Sequence, residues 1–152
     1  MTAKTIQGRR GDAVKQFSVF TENKLGRLHD LIGLFESHNV HVLALTTLDT
    51  TDSSVLRMVV DDPDRARLLL TEHHYPHTES ELLVVEIDCE RKLREALAVL
   101  VMAEININYV YSFLVQPEGR PVMGFNLEDR EVAAQALAQQ HFKVLNQGDI
   151  SR

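Results

Sequence analysis

The chain has few residues of the kinds that fix a fold through covalent bonds. It contains one cysteine, Cys89, so no disulfide can form within the chain, and a reducing compartment is expected. Tryptophan is absent, and no apolar run approaches the roughly 18 residues that a membrane-spanning helix needs. These absences argue against a disulfide-stabilised secreted domain and against a membrane protein. A cytoplasmic location is the expectation.

The chain also lacks an excess of positive charge. Its formal net charge is −6, which argues against an extended surface for nucleic acid, because such a surface needs clustered lysine and arginine. The basic cluster Arg91-Lys92-Leu93-Arg94 lies at a predicted helix start, where a solvated face explains it. With 44% hydrophobic and 25% charged residues in 152, the composition is that of a folded globular protein, as one domain or two small ones.

No pattern typical of an enzyme is present. There is no glycine-rich phosphate loop, serine nucleophile elbow or zincin motif, and Cys89 is expected to pack as a small hydrophobic residue at a strand end. The segment His73-His74-Tyr75-Pro76-His77 suggests a metal site, but adjacent histidines cannot easily both face one ion. Histidines also favour helix ends for dipole reasons. We therefore expect no catalytic residue, no metal and no cofactor.

The first half of the chain has a regular order of elements. Residues 15–21 alternate as a strand, and a helical period from Leu25 to His38 ends at Asn39, which tolerates left-handed backbone. Residues 40–48 and 55–60 form a predicted hairpin. Asp62-Pro63-Asp64 then begins a helix that runs to His74, and a short strand follows at 77–80.

The second half repeats this order. A shift of 65 residues pairs Leu28 with Leu93 and Asn39 with Glu104, and a shift of 67 pairs His74 with His141. The sequence therefore predicts a mobile tail (1–13) and two repeats (14–80 and 81–150), each β-α-β-β-α-β. The fold class is α+β, with two tandem ferredoxin-like units whose antiparallel sheets carry both helices on one face.

The helix-free face of each sheet is also predicted to be apolar. Several strands carry apolar side chains in both directions, which indicates that a sister repeat or a second chain covers that face. We therefore expect at least a homodimer. The residues that carry this expectation are Val40 and Val42 opposite Leu43 and Leu45, and Tyr109, Tyr111 and Phe113 opposite Val110 and Leu114.

The most informative segment runs from Phe17 to Leu28. An alternating strand leads into the polar turn Glu22-Asn23-Lys24-Leu25-Gly26-Arg27, and an amphipathic helix begins at once. Backbone amides at a helix N-terminus suit a carboxylate, and Gly26 would let a ligand approach the backbone. The alternative is that this segment is a helix start with no ligand.

These residues, with Gly33-Leu34-Phe35, resemble an ACT domain, the regulatory fold that binds amino acids. The likeness covers about residues 15–148 as two copies, and the first copy is similar to the small regulatory subunit of acetolactate synthase. The resemblance implies a small amino-acid ligand, bound where the first loop meets a neighbouring domain's strand. The ligand-binding residues that it implies are Asn23, Lys24, Leu25, Gly26 and Arg27.

Two positions depart from the family's pattern. Where the family often has Gly-x-Asn, this chain has Asn39-Val40-His41, so His41 could hydrogen-bond a ligand or could only pack. In the second copy, Asp88-Cys89-Glu90-Arg91-Lys92 has no glycine, which predicts a loop without a ligand.

The sequence thus favours a non-enzymatic regulatory protein that senses an amino acid, acts as a homodimer and has a biosynthetic enzyme as a possible partner. The alternatives are a regulatory subunit of acetolactate synthase and a dimerisation module without a ligand. The first alternative is weakened because the second half of this chain reads as another ACT copy.

Overall fold

The computed structural model describes residues 12–22 and 26–151, which form two compact units. The first unit comprises residues 15–80 with Ser151, and the second comprises residues 81–150 with residues 12–14. Most of the tail expected at 1–13 lies outside the described residues. Its described end is held in place, because the carbonyl oxygen of Asp12 accepts a hydrogen bond from the Gln147 amide at 2.9 Å.

The first unit has the predicted β-α-β-β-α-β order. Its sheet runs β2-β3-β1-β4, and β3 pairs antiparallel with both β1 and β2. The N-cap predicted at Asp62 is confirmed, since its carboxylate accepts from the Arg65 amide at 3.2 Å. The elements are β1 (Val14–Glu22), α1 (Arg27–Ser37), β2 (Val42–Asp49), β3 (Ser53–Val60), α2 (Pro63–Glu72) and β4 (His77–Glu86).

The core of the first unit lies between the sheet and its two helices. Phe17 of β1, Leu31 and Phe35 of α1, and Leu70 of α2 are fully buried in one cluster. Both helices therefore cover the same face of the sheet, as predicted. Each large side chain buried in this way stabilises the fold by about 1.5–3 kcal/mol.

The second unit has the same architecture. Its sheet order is β5-β6-β4-β7, which repeats the first unit's order with β4 in the place of β1. Its core joins Leu83 and Val85 of the sheet to Leu100 and Leu137 of the helices. The elements after β4 are α3 (Glu90–Met102), β5 (Ile107–Ser112), β6 (Val122–Leu127), α4 (Arg130–Gln139), β7 (Val144–Leu145) and a one-turn helix, α5 (Gln147–Ile150).

The number of strands at the boundary between the repeats differs from the prediction. The sequence predicts one strand at 77–80 and another from Leu82 to Ile87, but β4 is continuous from His77 to Glu86. Glu79, Ser80 and Glu81 include no glycine or proline that would interrupt a strand. One strand therefore ends the first repeat and begins the second.

The predicted faces of β2 are also corrected. The register of β2 against β3 shifts between Val42 and Ala44, which is a β-bulge. Because a bulge adds a residue, Leu45 packs on the same core as Val42 instead of opposing it. Strict alternation along the sequence could not show this.

Several side chains that were expected to need a second chain as cover are already buried. Leu43, Tyr111 and Phe113 are only 7%, 8% and 9% exposed within the single chain. These side chains therefore need no further partner to be shielded from water. Homodimer formation stays a prediction.

Candidate functional site

Gly26 begins the first helix with an unusual backbone. It is the N-cap of α1 with φ 87° and ψ −4°, in the left-handed region. Glycine adopts this conformation at little cost, which accounts for its presence here. Its carbonyl oxygen accepts the helix's first hydrogen bond from the Asp30 amide at 2.9 Å. The amides of the first turn, from Arg27 onward, have no acceptor within the helix.

A cleft of about 490 Å³ lies beside this helix start, within the first unit. This volume is in the range of small-ligand sites. Its walls come from the end of β1, from α1, and from the connector between α2 and β4. The lining residues are Phe20, Thr21, Glu22, Arg27, Asp30, Leu34, His73, His74, Tyr75 and Pro76.

Backbone hydrogen bonds fix the connector in this position. The Phe20 amide donates to the carbonyl oxygen of Pro76 at 2.9 Å, and the Tyr75 amide donates to that of Leu70 at 2.9 Å. His74 takes the left-handed conformation that ends helix α2, with φ 59°. On its strand side, the cleft is thus bounded by backbone that hydrogen bonds hold in place.

The polar part of the cleft carries both signs of charge. Arg27 and Asp30 are exposed and lie three positions apart on α1, so their side chains share one helix face. Glu22 adds a second carboxylate at the end of β1. A guanidinium next to a helix N-terminus suits a carboxylate, and carboxylates suit an ammonium group. This part of the cleft matches the two charges of a free amino acid.

Beside these charged residues and Thr21, His73 and His74, the rest of the lining is apolar. Phe20 also lines the cleft, but alternation along β1 places its 41% exposed side chain on the opposite face from Phe17 and Val19, which pack under α1. Leu34 and Tyr75 are half-buried and pack against the core of the unit. Together with Pro76 they form what we call the apolar wall: Leu34, Tyr75 and Pro76.

Among the predicted site residues that the structure describes, Arg27 alone lines the cleft. Asn23, Lys24 and Leu25 lie outside the described residues, and Gly26 immediately precedes Arg27 without lining the cleft. Sequence patterns did not indicate the apolar wall or the acidic residues of the lining. They suggested the segment at His73 only as a metal site, because nothing local shows that the connector returns to the end of β1.

His41 lies at the other end of the sheet from this cleft. Glu22 pairs with Ser53 at the start of β3, whereas the His41 carbonyl accepts from the Asp61 amide just beyond the end of β3. The eight residues of β3 separate these ends by about 23 Å. The exposed imidazole of His41 lies 3.2 Å from Asn39 Oδ1. Within the first unit, therefore, His41 and Arg27 do not share a site.

At the corresponding place in the second unit, side chains of the helix start and the connector contact each other. Lys92 corresponds to Arg27, and Phe142 corresponds to Tyr75. The Lys92 ammonium lies over the Phe142 ring, 5.6 Å from its centroid. Lys92 Nζ also lies 3.7 Å from a carboxylate oxygen of Glu95, which corresponds to Asp30. The helix start and the connector are thus joined by a cation–π contact where the first unit has a cleft.

The described residues give little support for a metal site, a reactive cysteine or a membrane-spanning helix. Within 12–22 and 26–151, no group of three or more His, Cys, Asp or Glu side chains could hold a metal ion. Cys89 is exposed at the N-cap of α3, so the expectation that it packs is wrong. None of the helices in this part of the chain is long and apolar enough to cross a membrane.

The chain belongs to the family of ACT domain pairs, whose model matches residues 12–152. This agrees with the two βαββαβ units and identifies the cleft as lying at the first helix of the first ACT domain. No curated protein matches the chain, and the likeness to the acetolactate synthase small subunit is not shown.

Solved structures show the same fold. A crystal structure of a protein from Bacteroides thetaiotaomicron is 24% identical, with a TM-score of 0.83, covering 92% of this chain and 96% of that one. The ligand-free regulatory subunit of aspartate kinase from Thermus thermophilus is 12% identical, with a TM-score of 0.55 and coverages of 84% and 92%. The corresponding subunit from Thermus flavus is 13% identical, with a TM-score of 0.56 and coverages of 86% and 94%.

Proposed function

We propose that this protein is a non-catalytic regulatory protein that binds one free amino acid in the cleft of its first ACT domain. The observation that carries the proposal is a cleft of about 490 Å³ with Arg27 at a helix start and two carboxylates, Glu22 and Asp30, in the same lining. In the proposed complex, Arg27 and the first-turn amides hold the ligand's carboxylate, and the acidic residues hold its ammonium.

Two further facts support the proposal. The chain matches an ACT domain pair along nearly its whole length, and its fold resembles regulatory subunits of aspartate kinase. A ligand that prefers one conformation of the pair would shift its population, and the shift would be transmitted to a partner enzyme. No cofactor is part of this mechanism.

A thermal-shift screen of the free amino acids tests the proposal. We expect at least one to raise the unfolding temperature, because a ligand that binds only the folded state stabilises it. Arg27→Ala should abolish that shift. Arg65→Ala is the matched control, since Arg65 is an exposed arginine in the first turn of the other helix of the unit. A screen in which no amino acid shifts the wild type would contradict the proposal and favour a dimerisation module without a ligand.

A homodimer and an enzyme partner belong to the same proposal. Their support is an exposed apolar segment of the second unit: Val110 in the edge strand β5 is 39% exposed, and Leu114 and Val115, which follow that strand, are 77% and 44% exposed. We expect sedimentation to show a dimer that Leu114→Asp weakens. A monomeric wild type at micromolar concentration would contradict this part.

The acetolactate synthase subunit receives no support from the comparisons. Co-purification of the chain with a thiamine-diphosphate enzyme would revive that alternative.

A further inference from the structure

We propose that helix α3 of the second unit forms the contact between two copies of this chain, with the two α3 helices packed antiparallel across a two-fold axis. This inference rests on the homodimer in the proposed function and adds the surface and the orientation. The contact is made by what we call the α3 seam: Arg94, Leu97, Val101 and Glu104.

The α3 seam is a single line of residues along the helix. Arg94, Leu97 and Val101 are spaced by three and four positions, so they share one face of α3, and Glu104 continues this spacing just after the helix end. Val101 is 73% exposed, and Arg94 and Glu104 are exposed as well. Leu97 is half-buried and packs against the core of the unit. An exposed line with an apolar middle and charged ends is typical of a helix–helix contact.

The seam lies beside the edge strand β5. Lys92, on the opposite side of the helix from Val101, lies over Phe142, which comes just before β7. β7 pairs with β4, whereas β5 forms the other edge of the sheet. Val110 of β5 pairs with the core residue Phe125, so its exposed side chain is on the helix side of that edge. The seam therefore borders the exposed apolar segment that supports the homodimer.

The α3 seam is complementary to itself. Leu97 and Val101 lie two positions on either side of Val99, and Arg94 and Glu104 lie five positions on either side of it. A two-fold axis at the level of Val99 therefore brings Leu97 level with the partner's Val101, and Arg94 level with the partner's Glu104. Apolar side chains then meet apolar ones, and opposite charges meet twice in each dimer. This complementarity identifies the occupant of the seam as a second copy of the chain.

The first unit lacks this complementarity. The shift of 65 residues that relates the two helix ends places Glu36 at the position of Val101, and His29, Ile32 and Asn39 at the other three positions. The same packing would set Glu36 against Ile32, where a carboxylate leaves water without a partner. Glu36 is exposed, so the fold does not require an apolar residue there. The apolar middle of the seam is thus specific to the second unit.

Sedimentation equilibrium of the full chain tests the contact. Val101→Glu, which gives α3 the residue of the first unit, should raise the Kd of the dimer about tenfold or more, because two carboxylates then face apolar side chains across the axis. Leu68→Glu is the matched control, because Leu68 is a 62% exposed apolar residue of helix α2. It should leave the Kd unchanged.

Charge reversal tests the orientation. Arg94→Glu alone and Glu104→Arg alone should each weaken the dimer severalfold, since like charges then meet twice across the axis. An equimolar mixture of the two single variants should dimerise more tightly than either variant alone, because each of these contacts in the mixed dimer joins a glutamate to an arginine. An effect on the folding of one chain cannot produce this recovery.

The outcomes separate this inference from the proposed function. If the wild type dimerises and Val101→Glu dimerises equally well, or if the mixture shows no recovery, the α3 seam is not the contact while the homodimer stands. A monomeric wild type overturns both the seam and the homodimer, and the thermal-shift screen still tests amino-acid binding separately. Circular dichroism spectra that match the wild type exclude misfolding as the cause of any loss.

Discussion

Asn39 and Glu104 end the first helices of the two ACT domains with the same left-handed backbone, at φ 59° and 58°. The hydrogen bonds around them match as well. The Val40 amide donates to Phe35 O at 2.9 Å, and the Ile105 amide donates to Leu100 O at 3.0 Å. These are Schellman-type helix ends at equivalent positions. The shift of 65 residues that the sequence suggests is thus a true structural correspondence.

Because Glu104 has the same left-handed backbone as Asn39, we expect its backbone conformation to be strained. Asparagine tolerates left-handed backbone, but glutamate carries a cost there that glycine does not. Glu104→Gly should raise the free energy of unfolding by about 0.5–1 kcal/mol, measured by urea denaturation. Ala98→Gly, at an exposed position inside α3, should instead lower it by about 1 kcal/mol. A loss of stability in Glu104→Gly would show that its side chain contributes more than its backbone costs.

Gly124 and Gly33 predict opposite effects of the same substitution. A Cβ at Gly124 would overlap the Leu82 side chain and lie 3.5 Å from Phe113 Cε1, whereas a Cβ at Gly33 meets nothing within 4 Å. Gly124→Ala should destabilise the protein by about 1–3 kcal/mol through overpacking. Gly33→Ala, inside helix α1, should stabilise it by about 0.5–1 kcal/mol. Equal effects of the two substitutions in thermal unfolding would contradict this packing.

The ion pair of Arg67 and Glu79 predicts a pH-dependent stability. Arg67 Nε and Nη2 donate to the two Glu79 carboxylate oxygens at 2.7 and 2.6 Å, and these hydrogen bonds lower the pKa of Glu79. A carboxyl group whose pKa is lower in the folded state stabilises the fold above its unfolded value, near 4.5. That contribution is lost as the pH falls through the folded pKa.

Glu79→Gln should therefore lower the free energy of unfolding by about 0.5–1 kcal/mol at neutral pH, since the pair is partly exposed. The difference from wild type should shrink below pH 4.5 and disappear below the folded pKa. Glu81→Gln, at an exposed glutamate of the same strand, is the control. A loss that is the same at every pH would assign the effect to packing and not to the ion pair.

Gly26 predicts that the backbone at the helix start controls ligand binding. Gly26→Val introduces a β-branched residue at φ 87°, which costs about 1–2 kcal/mol and should displace the turn before Arg27. Gly26→Asn should be tolerated because asparagine adopts left-handed backbone. We expect titration calorimetry to detect binding in Gly26→Asn but not in Gly26→Val, with both variants folded. Normal binding by Gly26→Val would place the site elsewhere.

Much of the fold could be predicted from the sequence because its signals are local. Asp62 and Pro63 mark a helix start through capping and a fixed φ, and Asn39 marks a helix end, so each signal acts within a few residues. The repeat followed from the same signals recurring at a constant interval. The continuous strand β4 was missed because an ACT copy was expected to end in its own separate strand.

Only the part of the site that lies next to a recognisable sequence motif could be predicted. Arg27 follows the loop that resembles an ACT ligand loop, so the sequence indicated it directly. Phe20 and Pro76 are joined through their backbones although they are far apart in sequence, and this pairing depends on how β4 returns beside β1. The bulge that turns Leu45 toward the core depends on the register with β3, which no residue pattern in β2 shows.

The most direct test of the central claim is the number of amino-acid molecules bound per chain. The first domain has a cleft at Arg27, whereas in the second the equivalent Lys92 lies over Phe142. Titration calorimetry with the amino acid that gives the largest thermal shift should find one site per wild-type chain, none in Arg27→Ala, and one of unchanged affinity in Lys92→Ala. Two sites per chain, or a site that survives Arg27→Ala and disappears in Lys92→Ala, would contradict the account.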